Sequence, residues 1–137
     1  MNLSQIKSRY IGIQSKLKDI ANYGCLFLCL CTIIEEVTGK EAGLIGIIQE
    51  SKAKGWLADD FTVNDSIAIL NAFTGKNFKR DVVKVLPTIV NENDFTIEKW
   101  YNPKTKGNHF KRRFVDTLEN SVTVRIGKIE AYYIYSF

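Results

Sequence analysis

The sequence predicts an α+β domain, with helices in the first half and an antiparallel sheet in the second. Two observations carry this. Up to Gly75, apolar residues recur at helical spacing between capping residues; beyond it, short β-branched and aromatic runs alternate with turn signals. Helices first and strands afterwards is the segregated order of an α+β fold.

The elements follow in order. Ile6, Tyr10, Ile13 and Leu17 predict a first helix, capped by Asn2 or Ser4 and interrupted at Ala21–Gly24. A second helix is expected from about Gly24 to Val37. It is apolar nearly all round up to Ile34, which predicts a central position, and Gly39 suits its C-terminal cap. A third is expected over about Glu41–Lys54, stopped by Gly55. A fourth begins with Thr62-Val63-Asn64-Asp65, buries Ile67, Leu70 and Phe73, and ends at Gly75.

Val82–Leu86, Phe95–Tyr101, His109–Asp116 and Val122–Ile126 are strand candidates, with Asn102-Pro103 as a turn. Gly127-Lys128 reads as a tight turn into Ala131–Tyr135, which would close a meander. The imperfect alternation of Tyr132, Tyr133, Tyr135 and Phe137 also suits an exposed edge strand able to pair with another chain.

Composition sets the bounds. A chain of 137 residues with 45% hydrophobic and 25% charged content fits one domain spanning residues 1–137. At this size a chain buries roughly 70% of its unfolded surface, so its core needs no covalent staples. Three cysteines, Cys25, Cys29 and Cys31, lie close together; an odd, local set argues against a disulfide framework and for a reducing, cytoplasmic setting. With a single histidine in the chain, no four-ligand zinc pattern is present, and no metal or other cofactor is expected.

The segment before Cys25 carries Lys7, Arg9, Lys16, Lys18 and Asp19, unlike a secretion signal. The run Leu26–Ile34 is far short of the ~20 residues of a membrane span.

The net charge of +4 is concentrated in residues 99–113, which hold Lys99, Lys104, Lys106, Lys111, Arg112 and Arg113 and no acid. With Trp100, Tyr101 and Phe110 this stretch is a candidate surface for nucleic acid or protein. No helix-turn-helix or RNA-binding signature accompanies it. The alternative is a solvated rim.

The sharpest chemistry joins Cys25 to His109. Cys25 follows Gly24 at the front of the second helix, where the helix dipole and free N–H groups favour a thiolate. If a cysteine is the nucleophile, His109 must be its base, because the chain has no other imidazole. Gly107-Asn108 would lead it into the start of a strand. Asn22 and the Cys25 N–H are candidate oxyanion donors. Two acids compete to orient the imidazole. Asp116 lies seven residues on, roughly 20 Å along a straight strand, so it needs a bend in the chain. Glu130 would lie opposite His109 if residues 109–115 and 122–130 formed a hairpin. Against all of this stands ordinary packing: a cysteine in an apolar run is often a small buried hydrophobe.

Tyr23-Gly24-Cys25-Leu26-Phe27-Leu28, Asn108-His109-Phe110, residues 115–124 and Gly127-Lys128-Ile129 together resemble a family of spirochaete plasmid and prophage proteins. That family is similar to divergent papain-like cysteine peptidases, nearest in pattern to those that cleave double-glycine leaders. The resemblance covers most of the chain. It implies a papain-like domain with the cysteine on a central helix, and a cysteine peptidase or amidase acting on a peptide or protein. It also implies Cys25 as nucleophile, His109 as base and Asp116 as orienting acid. Two departures stand out. Only Phe110–Val115 separate the histidine from the acid, where those peptidases have a longer hairpin. Asp19 stands six residues before the cysteine, where they tend to carry a glutamine nearby. A catalytically degenerate descendant is the other outcome that the resemblance allows.

Overall fold

The computed structural model describes residues 24–87, 91–113 and 127–137. Within them lie three helices, α1 (Cys25–Thr38), α2 (Leu44–Ala53) and α3 (Ser66–Thr74). Four strands follow, β1 (Lys79–Val83), β2 (Asp94–Tyr101), β3 (Asn108–Arg112) and β4 (Lys128–Ser136). All pairs are antiparallel and the sheet order is β1-β4-β2-β3. The mixed α+β class expected from sequence is observed. The expected helix over residues 6–17 and the strand over 122–126 lie outside the described residues.

α1 is central, as its all-round apolar pattern predicts: Phe27, Leu28, Cys29, Leu30, Cys31 and Ile33 are fully buried. Ile69 and Leu70 of α3, Ile47 of α2, and Phe95, Ile97 and Tyr135 of the sheet complete the core. The helix ends follow sequence chemistry. Gly39 and Gly75 adopt φ of 70° and 72°, the left-handed region that glycine enters without penalty. The Asp65 carboxylate caps α3, accepting from the Ala68 N–H at 3.0 Å. α2 starts three residues later than expected, because the Ala42 N–H instead donates to the buried Glu35 carboxylate at 2.9 Å.

The sheet corrects four expectations. It is not a meander: β4 inserts between β1 and β2, pairing Tyr133 with Val82 on one side and with Ile97 on the other. Lys128, expected in a turn, already pairs with Tyr101. β4 is therefore no exposed edge either. It carries Ile134 and Tyr135 into the interior, whereas β1 takes the edge with Lys79, Arg80, Asp81 and Val82 all exposed. The fourth correction concerns β3. It pairs with β2, His109 opposite Trp100, so β2 separates it from β4.

Candidate active site

The turn after β2 delivers the histidine. Asn102 is almost fully buried, and its side-chain oxygen accepts from the Lys104 and Thr105 N–H groups at 2.9 and 3.3 Å. Its backbone N–H donates to Gly107 O at 2.9 Å and its carbonyl accepts from the Lys106 N–H at 2.8 Å. Lys106 is held at φ 58°, a left-handed conformation that non-glycine residues rarely adopt. Closed in this way, the turn fixes where β3 begins and seats His109 at its second position, buried.

Among the described residues β3 is an edge strand, and its outer edge is occupied by α1. In an antiparallel ladder a residue's N–H and C=O both face the partner or both face away. The Arg113 N–H donates to Thr96 O at 3.2 Å, so residues 109, 111 and 113 face β2 and Phe110 faces outward. Both outward groups of Phe110 are met by cysteines of α1. Its N–H donates to Cys25, and its carbonyl accepts the Cys29 thiol proton at 3.6 Å. Cys25 and Cys29 share a helix face at the i, i+4 spacing seen in the sequence. Cys31 is buried elsewhere in the core.

This clamp brings Cys25 to His109. The thiol and the imidazole are hydrogen-bonded. Burial acts most strongly on the thiol and pushes its pKa up. The His109 hydrogen bond, the Phe110 N–H, the charge of His109 and the Leu26 N–H together outweigh it, and the thiol titrates below its usual value. The residue remains partly exposed at the first position of α1, whereas Cys29 and Cys31 are wholly buried. Gly24 accepts the Leu28 N–H at 2.8 Å and has φ −98°, a conformation that any residue adopts.

Among the other predicted site residues, Asn22 and Asp116 lie outside the described residues. Glu130 is displaced. With β2 between β3 and β4, it lies two strands from His109, at the bulge beside Lys99, and pairs with the Lys99 ammonium at 3.6 Å. The hairpin that would have placed it opposite His109 does not form.

The basic stretch is likewise divided. Arg112 is buried against Glu36, Lys111 pairs with Glu98 at 3.5 Å, and Phe110 packs on Tyr133 with ring centroids 5.6 Å apart. Only Lys104 and Lys106 of this set are exposed, in the turn. Strand alternation sends Trp100 and Phe110 to opposite sides of the sheet. Among the described residues no three His, Cys, Asp or Glu side chains gather as metal ligands would. Also among them, no helix is long and apolar enough to cross a membrane.

Sequence reasoning found the Cys25–His109 pair and missed its scaffold. The outward-facing Phe110 backbone and the buried Arg112 take part, and neither carries a sequence motif. The one available signal was the stripe Cys25, Cys29, Thr32, Glu36 at spacings of four, three and four along α1.

Comparison with protein-family models, curated proteins and solved structures finds no match for this chain.

Proposed function

We propose that this chain is a papain-like cysteine hydrolase, a peptidase or amidase, with Cys25 as nucleophile and His109 as its base. The observation that carries this reading is the hydrogen bond between the two side chains at the start of α1, with the thiol held below its usual pKa. A structural cysteine in an apolar core titrates in the opposite direction, because burial alone raises a thiol.

The chemistry follows from this arrangement. The Cys25 thiolate attacks an amide carbonyl and forms a C–S bond. The tetrahedral oxyanion takes donors at the helix terminus, the Cys25 N–H among them, with Asn22 proposed as the side-chain donor. As the C–N bond breaks, the His109 imidazolium gives its proton to the leaving amine. Water, deprotonated by His109, then attacks the thioester; the acid leaves and the thiolate is restored. Asp116 is proposed to orient the imidazole, on the family resemblance alone.

Alkylation by iodoacetamide near pH 6 tests the reading. Cys25 is the one partly exposed thiol of the three, so labelling should fall on it and vanish in Cys25→Ala. His109→Ala should retain the cysteine but slow the reaction at this pH by at least tenfold. A thiol that reacts only above about pH 8.5, as a free cysteine does, sinks the proposal.

A further inference from the structure

We propose that Arg112 is a positioning residue for the Cys25–His109 pair: by bridging Thr32 and Glu36 it locks the register of β3 against α1. The inference rests on the hydrolase reading for its consequence, but the lock itself is a matter of geometry.

Four side chains of α1 face β3 along one stripe. Cys25 and Cys29 meet the backbone of Phe110, while Thr32 and Glu36 meet the guanidinium of Arg112. Arg112 Nη1 donates to Thr32 Oγ1 at 2.9 Å, and Nη2 lies 2.8 Å from Glu36 Oε1. The Thr32 hydroxyl passes the bond on to the Cys29 carbonyl at 2.6 Å. Arg112 is thus tied to the residue that holds Phe110 O, one turn from the nucleophile. On its other side the guanidinium lies over the Phe95 ring of β2, 5.7 Å from the centroid. The fork is therefore fixed from the helix and from the neighbouring strand.

The dimensions explain why a long side chain is needed. Between the midpoint of Cys25 and Cys29 and that of Thr32 and Glu36, a helix rises about 10 Å. From Phe110 to Arg112 a strand advances only about 7 Å. A short residue at 112 leaves the second contact unreached, and the guanidinium spans the difference. A lysine reaches one partner but lacks the planar fork that holds two.

Stability alone does not account for this arrangement. A buried ion pair is roughly break-even against a well-packed apolar side chain, because desolvation offsets the attraction. What the pair supplies is a defined register, the best-attested use of buried charge. A slip of one residue would turn the outward groups of Phe110 toward β2 and carry His109 away from Cys25.

The test uses the full chain with Arg112→Met, Arg112→Lys and Thr32→Val. Two readouts are compared with wild type: the pH profile of Cys25 alkylation by iodoacetamide, and amide hydrogen exchange at Phe110. The expected result for Arg112→Met is a folded protein whose Cys25 reacts at least tenfold more slowly near pH 6, its profile displaced upward, with faster exchange at Phe110. Arg112→Lys should recover part of the rate. Thr32→Val removes one hydroxyl, should slow the reaction about threefold, and serves if Arg112→Met does not fold. Folded variants with wild-type profile and wild-type exchange overturn the proposal. If wild-type Cys25 itself reacts as an ordinary thiol, the hydrolase reading fails. The register lock is then decided by exchange alone: faster exchange at Phe110 in the variants supports it, and unchanged exchange overturns it.

Discussion

The Cys29 thiol donates to the carbonyl of Phe110 at 3.6 Å, closing the free edge of β3 against α1. Without it, an outward carbonyl of an edge strand faces the helix with no partner. Cys29→Ala should therefore cost about 2–3 kcal/mol, combining an unmet carbonyl with a small cavity at a fully buried site. Urea denaturation measures it. Cys29→Ser, which keeps a donor, should recover part of the loss. Equal stability of the alanine variant and wild type would show that the contact is incidental to the fold.

The depressed thiol of Cys25 makes stability and reactivity depend on pH in a defined direction. An acid whose folded pKa lies below its unfolded value stabilises the fold at pH above the unfolded value, about 8.5 for a cysteine. That contribution is lost as pH falls through the lowered folded value of Cys25. Wild type should therefore lose stability relative to Cys25→Ser on acidification from about pH 9, whereas thiolate reactivity should hold until pH reaches the lowered folded value and fall only there. In His109→Ala two of the four lowering influences disappear while burial remains. The titration should move up, and ultraviolet absorbance of the thiolate against pH reads it directly.

The reach of the sequence is clear from particular elements. α1 was legible because an apolar run bounded by Gly24 and Gly39 admits few other readings, and it is observed within a residue of its expected end. The Cys25–His109 contact was legible because the chain offers a cysteine only one imidazole to meet. The strand order was not. Residues 131–135 are apolar enough for the sheet interior, but which two strands flank them depends on contacts more than thirty residues away, such as Phe95 with Tyr135. Glu130 was misplaced for that reason: local hairpin geometry was extended across a pairing that β2 takes instead. Arg112 was read as surface charge because its partners, Thr32 and Glu36, lie some eighty residues earlier.

Gly39 offers a test of backbone conformation free of packing effects. It sits at φ 70°, and a Cβ added there would meet nothing within 4 Å. Gly39→Ala should thus destabilise by about 1 kcal/mol through left-handed strain alone. Thermal denaturation checks the magnitude, and Cys25 alkylation should be unchanged because Gly39 lies at the far end of α1. A loss well above this would point to a contact that the local geometry does not contain.

Asn102 links the stability of the β2–β3 turn to the placement of His109. Its side-chain oxygen holds two backbone N–H groups, and the turn it organises keeps Lys106 in a strained conformation three residues before His109. Removing that oxygen in Asn102→Ala leaves both donors to water and should cost about 1–2 kcal/mol. The strain at Lys106 is no longer opposed, so the first residues of β3 should fray. The effect on chemistry should then exceed the effect on stability: Cys25 alkylation near pH 6 should slow severalfold while the core helices stay protected from hydrogen exchange. Asn102→Asp, which keeps the accepting oxygen, should restore most of the stability and the rate. If Asn102→Ala lowers stability but leaves the alkylation profile untouched, the position of His109 is set by the β3–α1 contacts and not by the turn.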